Sequence, residues 1–194
     1  MDGSNPSRRI IVGITGASGV IYAVRLLEVL KDLAFETHLV VSRAAEITVA
    51  HELDTKVSAI RALASVNYKN DNIAAAISSG SFRTRGMVVV PCSVRTLSAV
   101  ATGVTSDLIS RAADVVLKER QRLVMVVRET PLHAGHLRSM AAVADLGGII
   151  FPPMPAFYSR PQSLSEMIDH TVGRILDQLD IDAGLVDRWK ADIR

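Results

Sequence analysis

Two short turns carry residue types that bind phosphate, and each lies between an apolar run and a helical pattern. They are residues 15 to 19, TGASG, and residues 91 to 96, PCSVRT. Free backbone N–H groups and the helix dipole favour an anion at the start of a helix. Simple chain reversal would also explain the first turn, and an ordinary helix cap at Ser93 the second. Together the turns are a candidate site for one phosphate-bearing ligand.

The spacing of the glycines narrows the class of ligand. The dinucleotide pattern G-x-G-x-x-G needs a glycine two residues before Gly16, where this chain has Ile14. The next apolar run ends in Ser42 rather than in an acidic residue that could bind a ribose 2′-hydroxyl. These departures disfavour NAD and favour a mononucleotide.

A charged pair, Arg128 and Glu129, follows directly on the apolar run 123 to 127. Ligands of open α/β sheets bind outside the carboxyl ends of the strands, so charge at this position indicates a ligand contact. A structural ion pair between the two side chains is the alternative. Cys92 has no basic neighbour in the sequence and is interpreted as a small core residue rather than a nucleophile.

Apolar runs alternate with helical patterns along most of the chain. Strands are predicted at residues 9 to 14, 37 to 41, 86 to 91, 122 to 127 and 148 to 151. Helices are predicted after residue 19, at 44 to 52 and 57 to 64, after residue 93, and at 106 to 118, 136 to 144 and 164 to 179. The polar tract from 67 to 81 is predicted to be a loop over a site. The alternation predicts a doubly wound α/β fold with a mostly parallel sheet and helices on both faces.

The length of 194 residues predicts a single domain over residues 1 to 194. Residues 1 to 8 are expected to be disordered, and residues 180 to 194 to form a tail helix whose Trp189 packs on a neighbouring subunit. Hydrophobic residues make up 48% of the chain, which leaves more apolar surface than one small core can hide. Burial between copies of the chain is the expected outcome.

Several functional classes are excluded by composition. The single cysteine and the scattered histidines form no metal-binding pattern, so no metal is expected. The net charge of +2 is spread along the chain, unlike a basic surface for nucleic acid. No apolar stretch reaches the roughly 18 residues of a membrane span. The polar start lacks the pattern of a secretion signal, so a cytoplasmic location is expected.

Several long tracts follow one another along the chain: GITGASGVIYAVRLL, ETHLVVS, ISSGSF, MVVVPCSVRTLSAVATG, RAADVVLKER, VVRETPL and PPMPAFYSRPQSL. In this order and spacing they closely resemble the UbiX-type flavin prenyltransferases, from about residue 9 to residue 180. Tracts of this length are far more specific than a single short motif.

The resemblance implies a flavodoxin-like or Rossmann-like subunit, usually assembled into a homo-oligomer of twelve, that binds FMN between subunits. It implies transfer of a dimethylallyl group from dimethylallyl monophosphate to reduced FMN without a metal. The product, prenylated FMN, is the cofactor of UbiD-type decarboxylases; the expected pathway is ubiquinone biosynthesis, and aromatic acid breakdown is the open alternative. The protein is therefore expected to be a prenyltransferase with small-molecule substrates.

The resemblance also assigns residues to roles. FMN should be bound by Gly16, Ala17, Ser18, Ser42, Ser93, Val94, Arg95, Thr96 and Arg128. The prenyl phosphate should be bound by Tyr158 and Arg174, with Lys118, Arg111, Gly80 and Glu129 close by. Ser18 and Glu52 match the proton-handling pair near flavin N5, and Ser18, Glu52, Lys118 and Glu129 are the expected catalytic residues.

Such cationic donors make chemical sense, because breaking an allylic carbon–oxygen bond leaves a phosphate whose growing negative charge needs fixed positive partners. One departure is that some relatives have a tryptophan beside the prenyl group, where this chain has Asn72 and Ile73. The lack of an aromatic face there puts the extent of carbocation character in question.

Two alternatives remain open: a non-catalytic FMN carrier and an aromatic acid decarboxylase. A third, a cysteine-decarboxylating flavoprotein of the same superfamily, is disfavoured, because it would have a PxSANT-like tract at residues 91 to 96, where this chain has PCSVRT.

Overall fold

The computed structural model describes residues 5 to 186. Within that range the strands are β1 (Arg9–Ile14), β2 (Glu36–Val41), β3 (Val66–Lys69), β4 (Gly86–Cys92), β5 (Arg122–Val127) and β6 (Ile149–Ile150). The helices are α1 (Val20–Asp32), α2 (Arg43–Glu52), α3 (Val57–Arg61), α4 (Val94–Thr102), α5 (Leu108–Lys118), α6 (Ala134–Asp145) and α7 (Leu164–Asp177). Short 3-10 turns lie at Pro6–Arg8, Ala76–Ser78 and Phe157–Ser159.

All the strands pair in parallel in one sheet, in the order β3-β2-β1-β4-β5-β6. This is the Rossmann order, and without the edge strand β3 it is the flavodoxin order. The chain reverses its direction of winding between β1 and β4, so the crevice outside the carboxyl ends of these strands is the expected ligand site. The doubly wound α/β fold predicted from the sequence is confirmed.

Helices cover the sheet on both faces, and alternate residues of each central strand point to opposite sides. Ile10, Val12 and Ile14 of β1 belong to a core with α1, α2 and α7. Ile11 of the same strand belongs to a second core, with α4, α5 and α6. The central strands are therefore apolar on both faces because helices bury both faces. It follows that α5 and α7 lie on opposite sides of the sheet.

The tract from 67 to 81 is not a loop throughout, because its first residues belong to β3. Tyr68 of β3 bonds through its hydroxyl to Nδ1 of the buried His38 on β2, at 2.9 Å. The strand is only four residues long and carries the polar Asn67 and Lys69, so its own sequence gives a weak strand pattern. Pairing with β2 supplies the missing stability.

The ends of the described range differ from expectation. In the segment expected to be disordered, Pro6–Arg8 form a 3-10 turn, and Arg8 donates to the carbonyl of Ala34 at 3.3 Å. Residues 180 to 186 are not helical. Arg85 donates to the carbonyls of Leu179 and Asp180 at 2.6 and 2.8 Å and so holds the chain where α7 has ended. The rest of the expected tail helix, with Trp189, lies outside the described residues.

Candidate functional site

The turns that follow β1 and β4 are joined by the side chain of Thr15. Its hydroxyl donates to the carbonyl of Pro91 at 2.8 Å and accepts from the backbone amide of Ser93, also at 2.8 Å. Thr15 itself is buried. Since β1 and β4 flank the point where the winding reverses, this bridge makes the two turns neighbouring walls of the expected crevice. The structure thus brings together the two turns that the sequence singled out.

Gly16 lets the first turn lie directly against the start of α2. A Cβ atom at this position would lie 2.4 Å from the Cβ atom of Ala44, a distance that real side chains do not adopt. Ala44 lies in the first turn of α2, two residues after Ser42. The missing side chain at Gly16 therefore sets the separation between the glycine turn and Ser42.

A carboxylate already occupies the start of α1. Glu52, the last residue of α2, accepts hydrogen bonds from the amide of Gly19 at 2.9 Å and from that of Val20 at 3.1 Å. These are among the N–H groups that a phosphate would use at this helix start. A phosphate could bind them only by displacing Glu52. The phosphate site expected at the glycine turn is therefore better placed at a neighbouring helix start.

Ser18 lies near enough to Glu52 to influence the pKa of that carboxyl. Burial raises the pKa of the Glu52 carboxyl, but hydrogen bonds from the Ser18 hydroxyl and from the Gly19 and Val20 amides outweigh it. The positive charge of Arg128 acts in the same direction, and the pKa of Glu52 is lowered overall. Glu52 is therefore an anion held at the crevice, within the electrostatic reach of Arg128.

The starts of α2 and α4 are each capped by a serine. The Ser42 hydroxyl accepts from the amide of Ala45 at 3.1 Å, and the Ser93 hydroxyl accepts from the amide of Thr96 at 3.3 Å. Val94, Arg95 and Thr96 form the first turn of α4. Glu46 lies in the first turn of α2 but pairs with Arg61 at 3.0 Å, and the first turn of α4 contains no acidic residue. These two helix starts can therefore receive an anion, unlike the start of α1.

An open cleft of about 480 Å³ lies at the starts of these helices and is lined by both Ser42 and Arg95. Its charged lining residues are Arg43, Glu46, Arg61, Lys69, Asp71, Arg95 and Asp107. Two of the carboxylates are engaged, since Glu46 pairs with Arg61 at 3.0 Å and Asp107 caps α5. Among the other charged lining residues, the basic Arg43, Lys69 and Arg95 outnumber the acidic Asp71. The cleft therefore suits the phosphate end of a mononucleotide.

Arg128 and Glu129 lie at the carboxyl end of β5, next to the second turn. The amide of Arg128 donates to the carbonyl of Cys92 at 3.0 Å, which ties this loop to the end of β4. The Glu129 carboxylate accepts from the amide of Thr130 at 3.0 Å. The residues expected to bind FMN thus all lie at the carboxyl ends of the strands. They are Gly16, Ala17, Ser18, Ser42, Ser93, Val94, Arg95, Thr96 and Arg128.

The residues expected at the prenyl phosphate are not brought together in one chain. Lys118 ends α5 near the amino ends of the strands, opposite the crevice, and lies beside Gly80. A Cβ atom on Gly80 would lie 2.7 Å from the Lys118 ammonium nitrogen and 2.2 Å from Oε1 of Glu119, which pairs with that ammonium. Arg111, in the first half of α5, pairs with Asp114 at 2.9 Å.

Tyr158 and Arg174 lie on the other face of the sheet, with α7. The Tyr158 hydroxyl is 3.2 Å from Nε2 of His170, and Arg174 donates to Asp177 at 2.7 Å. The sheet separates these residues from α5, and the length of β5 separates Lys118 from Glu129 by about 20 Å. A site that used Lys118, Tyr158 and Arg174 together would therefore have to combine more than one copy of the chain.

Two residues, Thr15 and Asn70, organise the site through distant contacts that the sequence does not indicate. Thr15 belongs to the quoted turn, but nothing local shows that it bridges to the second turn. Asn70 accepts through its backbone carbonyl from the amide of Leu108 at 2.8 Å and through its side chain from that of Ile109 at 3.2 Å. It thereby fixes the start of α5. Asparagine near a turn was the available signal, and it is a weak one.

Cys92 is fully buried, and burial raises the pKa of its thiol well above the usual range. The core role inferred from the sequence is therefore confirmed. Among residues 5 to 186, no cluster of three or more His, Cys, Asp or Glu could hold a metal ion. None of the helices in this range combines the length and the apolar character needed to cross a bilayer.

Comparison with known proteins places these features in a family. The family model described as Flavoprotein matches residues 2 to 187. The flavin prenyltransferase UbiX of Escherichia coli (strain K12) is 55% identical over 186 residues, which are 94% of this chain and 98% of that protein.

Two solved structures of related proteins support the same family. The structure of AnUbiX (PadA1) in complex with FMN and dimethylallyl pyrophosphate superposes with a TM-score of 0.94 at 51% identity, covering 95% of this chain and 98% of that one. A dodecameric FMN-dependent UbiX-like decarboxylase from Escherichia coli O157:H7 gives a TM-score of 0.92 at 43% identity, covering 94% of this chain and all of the other. The chain therefore belongs to the UbiX family of flavin prenyltransferases.

Proposed function

We propose that the protein transfers a dimethylallyl group from dimethylallyl monophosphate to reduced FMN and releases inorganic phosphate. The observation that carries the proposal is the crevice at the ends of β1 and β4. It combines an exposed acid, Glu52, next to Ser18, with two helix starts that can receive an anion. A relative that is 51% identical has been solved with FMN and a dimethylallyl diphosphate, which supports the same pair of ligand classes here.

The residues of the crevice fit FMN in one orientation. The phosphate end belongs at the serine-capped starts of α2 and α4, where Ser42 and Arg95 line the cleft. The ring end belongs at the glycine turn, because Glu52 occupies the start of α1 and would repel a phosphate there. Ser18 and Arg128 then face the flavin ring. FMN supplies the electron-rich ring atoms N5 and C6 to which the prenyl group becomes joined.

The leaving phosphate needs cationic donors on several sides. Lys118 offers a compact point charge, Arg174 a planar fork of N–H donors, and Tyr158 a neutral hydroxyl. As the allylic carbon–oxygen bond breaks, its electron pair stays on the phosphate oxygen, and these fixed donors stabilise the charge that develops there. No metal is needed for this stabilisation, in keeping with the metal-independent reaction that we propose.

Two copies of the chain would have to complete this phosphate site, because α5 and α7 lie on opposite faces of the sheet. Exposed apolar residues are concentrated near Tyr158, with Met154 76% exposed, Phe157 73% and Leu164 68%. Such a patch is typical of a subunit contact. The dodecameric relative supports a homo-oligomer, and we propose a dodecamer in which FMN binds between subunits.

Proton transfer falls to the acids at the crevice. Glu52, held as an anion, accepts hydrogen bonds from the Gly19 and Val20 amides, and the Ser18 hydroxyl helps to lower its pKa. Glu52 and Ser18 together can take up a proton that the edge of the flavin ring releases beside them. Glu129 lies in the loop after β5 and is the candidate for a proton at the phosphate. We infer these roles from position and propose Ser18, Glu52, Lys118 and Glu129 as the catalytic residues.

The decisive test is to mix the protein with reduced FMN and dimethylallyl monophosphate under anaerobic conditions and to weigh the released flavin by mass spectrometry. A flavin heavier by one dimethylallyl group supports the transferase. Unmodified flavin would defeat it and leave an FMN carrier. A relative at 43% identity is an FMN-dependent UbiX-like decarboxylase, which makes a decarboxylase the second candidate. Carbon dioxide release from aromatic acids and from peptidyl cysteine should therefore be measured in parallel.

The product is a modified flavin with no further use in this site. We propose that it passes to a UbiD-type decarboxylase, in ubiquinone biosynthesis, and that both proteins work in the cytoplasm. Transfer of activity to an apo-decarboxylase incubated with the reaction mixture would test this step directly.

A further inference from the structure

Tyr158 is an exposed tyrosine whose hydroxyl is held by a buried histidine. The side chain is 57% exposed, whereas His170 on α7 is 9% exposed. The hydroxyl oxygen lies 3.2 Å from Nε2 of His170, and the two rings meet edge to face at 5.7 Å between centroids. The contact joins the 3-10 turn Phe157–Ser159 to α7. The tyrosine is therefore held in one orientation while its ring faces outward.

The same helix holds the second residue that we propose for the prenyl phosphate. Arg174 lies one turn after His170 on α7, so the two side chains share a face. The Arg174 guanidinium donates to Asp177, whose carboxylate is largely buried. Each of the two proposed phosphate donors thus has a partner on α7 that limits its freedom. For Arg174 the partner is an acid, and for Tyr158 it is His170.

The direction of the tyrosine hydrogen decides whether this arrangement helps a phosphate. A hydroxyl has a single hydrogen, and a fully ionised phosphate only accepts hydrogen bonds. If Nε2 of His170 lacks a hydrogen, it takes the hydrogen of Tyr158 and leaves lone pairs toward the anion. If Nε2 carries the hydrogen, it donates to the tyrosine oxygen and turns the hydroxyl hydrogen away from His170.

We infer that His170 is a positioning residue that donates from Nε2 to the Tyr158 oxygen, so that the Tyr158 hydroxyl donates to the phosphate of the dimethylallyl substrate. The inference rests on the proposed function, since that function supplies the phosphate. His170 does not touch the substrate in this arrangement. It acts through Tyr158, by fixing the side chain and the direction of its hydrogen.

The test compares variants at both residues. His170→Leu and His170→Met remove the donor at similar volume, whereas His170→Gln keeps an N–H donor near the position of Nε2. Tyr158→Phe and the double variant Tyr158→Phe/His170→Leu complete a cycle. Assembly and FMN retention are checked by size-exclusion chromatography, and His170→Met replaces His170→Leu if the latter does not assemble.

Binding of dimethylallyl monophosphate is measured by calorimetry on protein loaded with oxidised FMN, which does not react, and KM and kcat are measured with reduced FMN. His170→Leu should weaken binding by about tenfold, as expected for a lost hydrogen bond to a charged group. His170→Gln should recover most of this loss. In the Tyr158→Phe background, His170→Leu should have no further effect.

Several results would overturn the inference. They are wild-type affinity in His170→Leu, equal losses in His170→Gln and His170→Leu, or a full additional loss in the double variant. Each of these leaves the proposed function intact if the wild-type protein makes prenylated flavin. A wild-type protein that neither binds dimethylallyl monophosphate nor modifies FMN would remove the proposed function, and this inference with it.

Discussion

The Glu52 carboxylate, at the end of α2, accepts a hydrogen bond of 2.9 Å from the backbone amide of Gly19, at the start of α1. A negative charge thus lies on the positive end of a helix, in the turn whose sequence suggests a phosphate site. Because the Glu52 carboxylate occupies this turn, we expect the phosphate to bind at the starts of α2 and α4 instead. The hydrogen bond from Gly19 also holds Glu52 beside Ser18.

Replacing Glu52 by Gln should lower the stability near neutral pH by about 0.3 to 1 kcal/mol, because a neutral amide loses the attraction to the helix start. The pKa of Glu52 is lower in the folded protein than its ordinary value of 4.5. Its stabilising contribution is therefore present above that value and is lost as the pH falls through the folded pKa. Urea midpoints of wild type and E52Q should differ near neutral pH and converge as the pH falls below the folded pKa of Glu52. A pH-independent difference would contradict this assignment.

Replacing Thr15 by Val should lower the stability by about 1 to 3 kcal/mol, because the Ser93 amide loses its acceptor in a region with little water. The Pro91 carbonyl keeps the backbone amide of Thr15 as a donor, at 3.2 Å. FMN affinity should fall as well, since the bridge sets the spacing of the two turns. Thr15→Ser keeps the hydroxyl and serves as the control. Chemical unfolding and flavin fluorescence report the two effects, and a Thr15→Val protein as stable as Thr15→Ser would refute the bridging role.

Lys118→Ala and Arg174→Ala should each lower turnover by about 10² to 10³, equivalent to about 2.7 to 4 kcal/mol, as for loss of one donor in an anion hole. Since α5 and α7 lie on opposite faces of the sheet, the two residues of one site should come from different copies. Co-assembly of the two inactive variants should then restore activity in about a quarter of the sites, because half of the copies are competent at each position. Turnover of co-expressed, differently tagged subunits measures this. No recovery in mixed oligomers would place both residues of a site in one chain.

Gly80→Ala should impair the substrate site without unfolding the protein. The added Cβ atom would lie 2.7 Å from the Lys118 nitrogen and 2.2 Å from Glu119 Oε1, both at the ends of flexible side chains that can move aside. Lys118 would then leave its place near the proposed phosphate. The expected result is an unchanged thermal midpoint with a several-fold higher KM for dimethylallyl monophosphate, as for loss of a weak charged contact. An unchanged KM would separate Gly80 from the substrate site.

Much of the fold could be predicted because its strands, helices and turns have recognisable local sequence patterns. The central strands are apolar on both faces, and the turn after β1 combines glycine and serine directly before a helical pattern. The strand β3 could not be predicted, because four residues of alternating polarity give a weak strand pattern and the strand forms by pairing with β2. Helix α7 ends at Asp177 rather than at residue 179, and Arg85, from a distant part of the chain, binds the carbonyls of Leu179 and Asp180 just after that end.

The sequence by itself determined the doubly wound layers, the two turns and the family, because each depends on the order and spacing of residues near one another in the chain. Only the tertiary structure decided that Glu52 fills the start of α1, that Thr15 joins the turns, and that His170 holds Tyr158. It also decided that Lys118 and Arg174 lie on opposite faces of the sheet. These contacts join segments that are far apart in the sequence. A pattern of neighbouring residues does not show which distant segments will pack together.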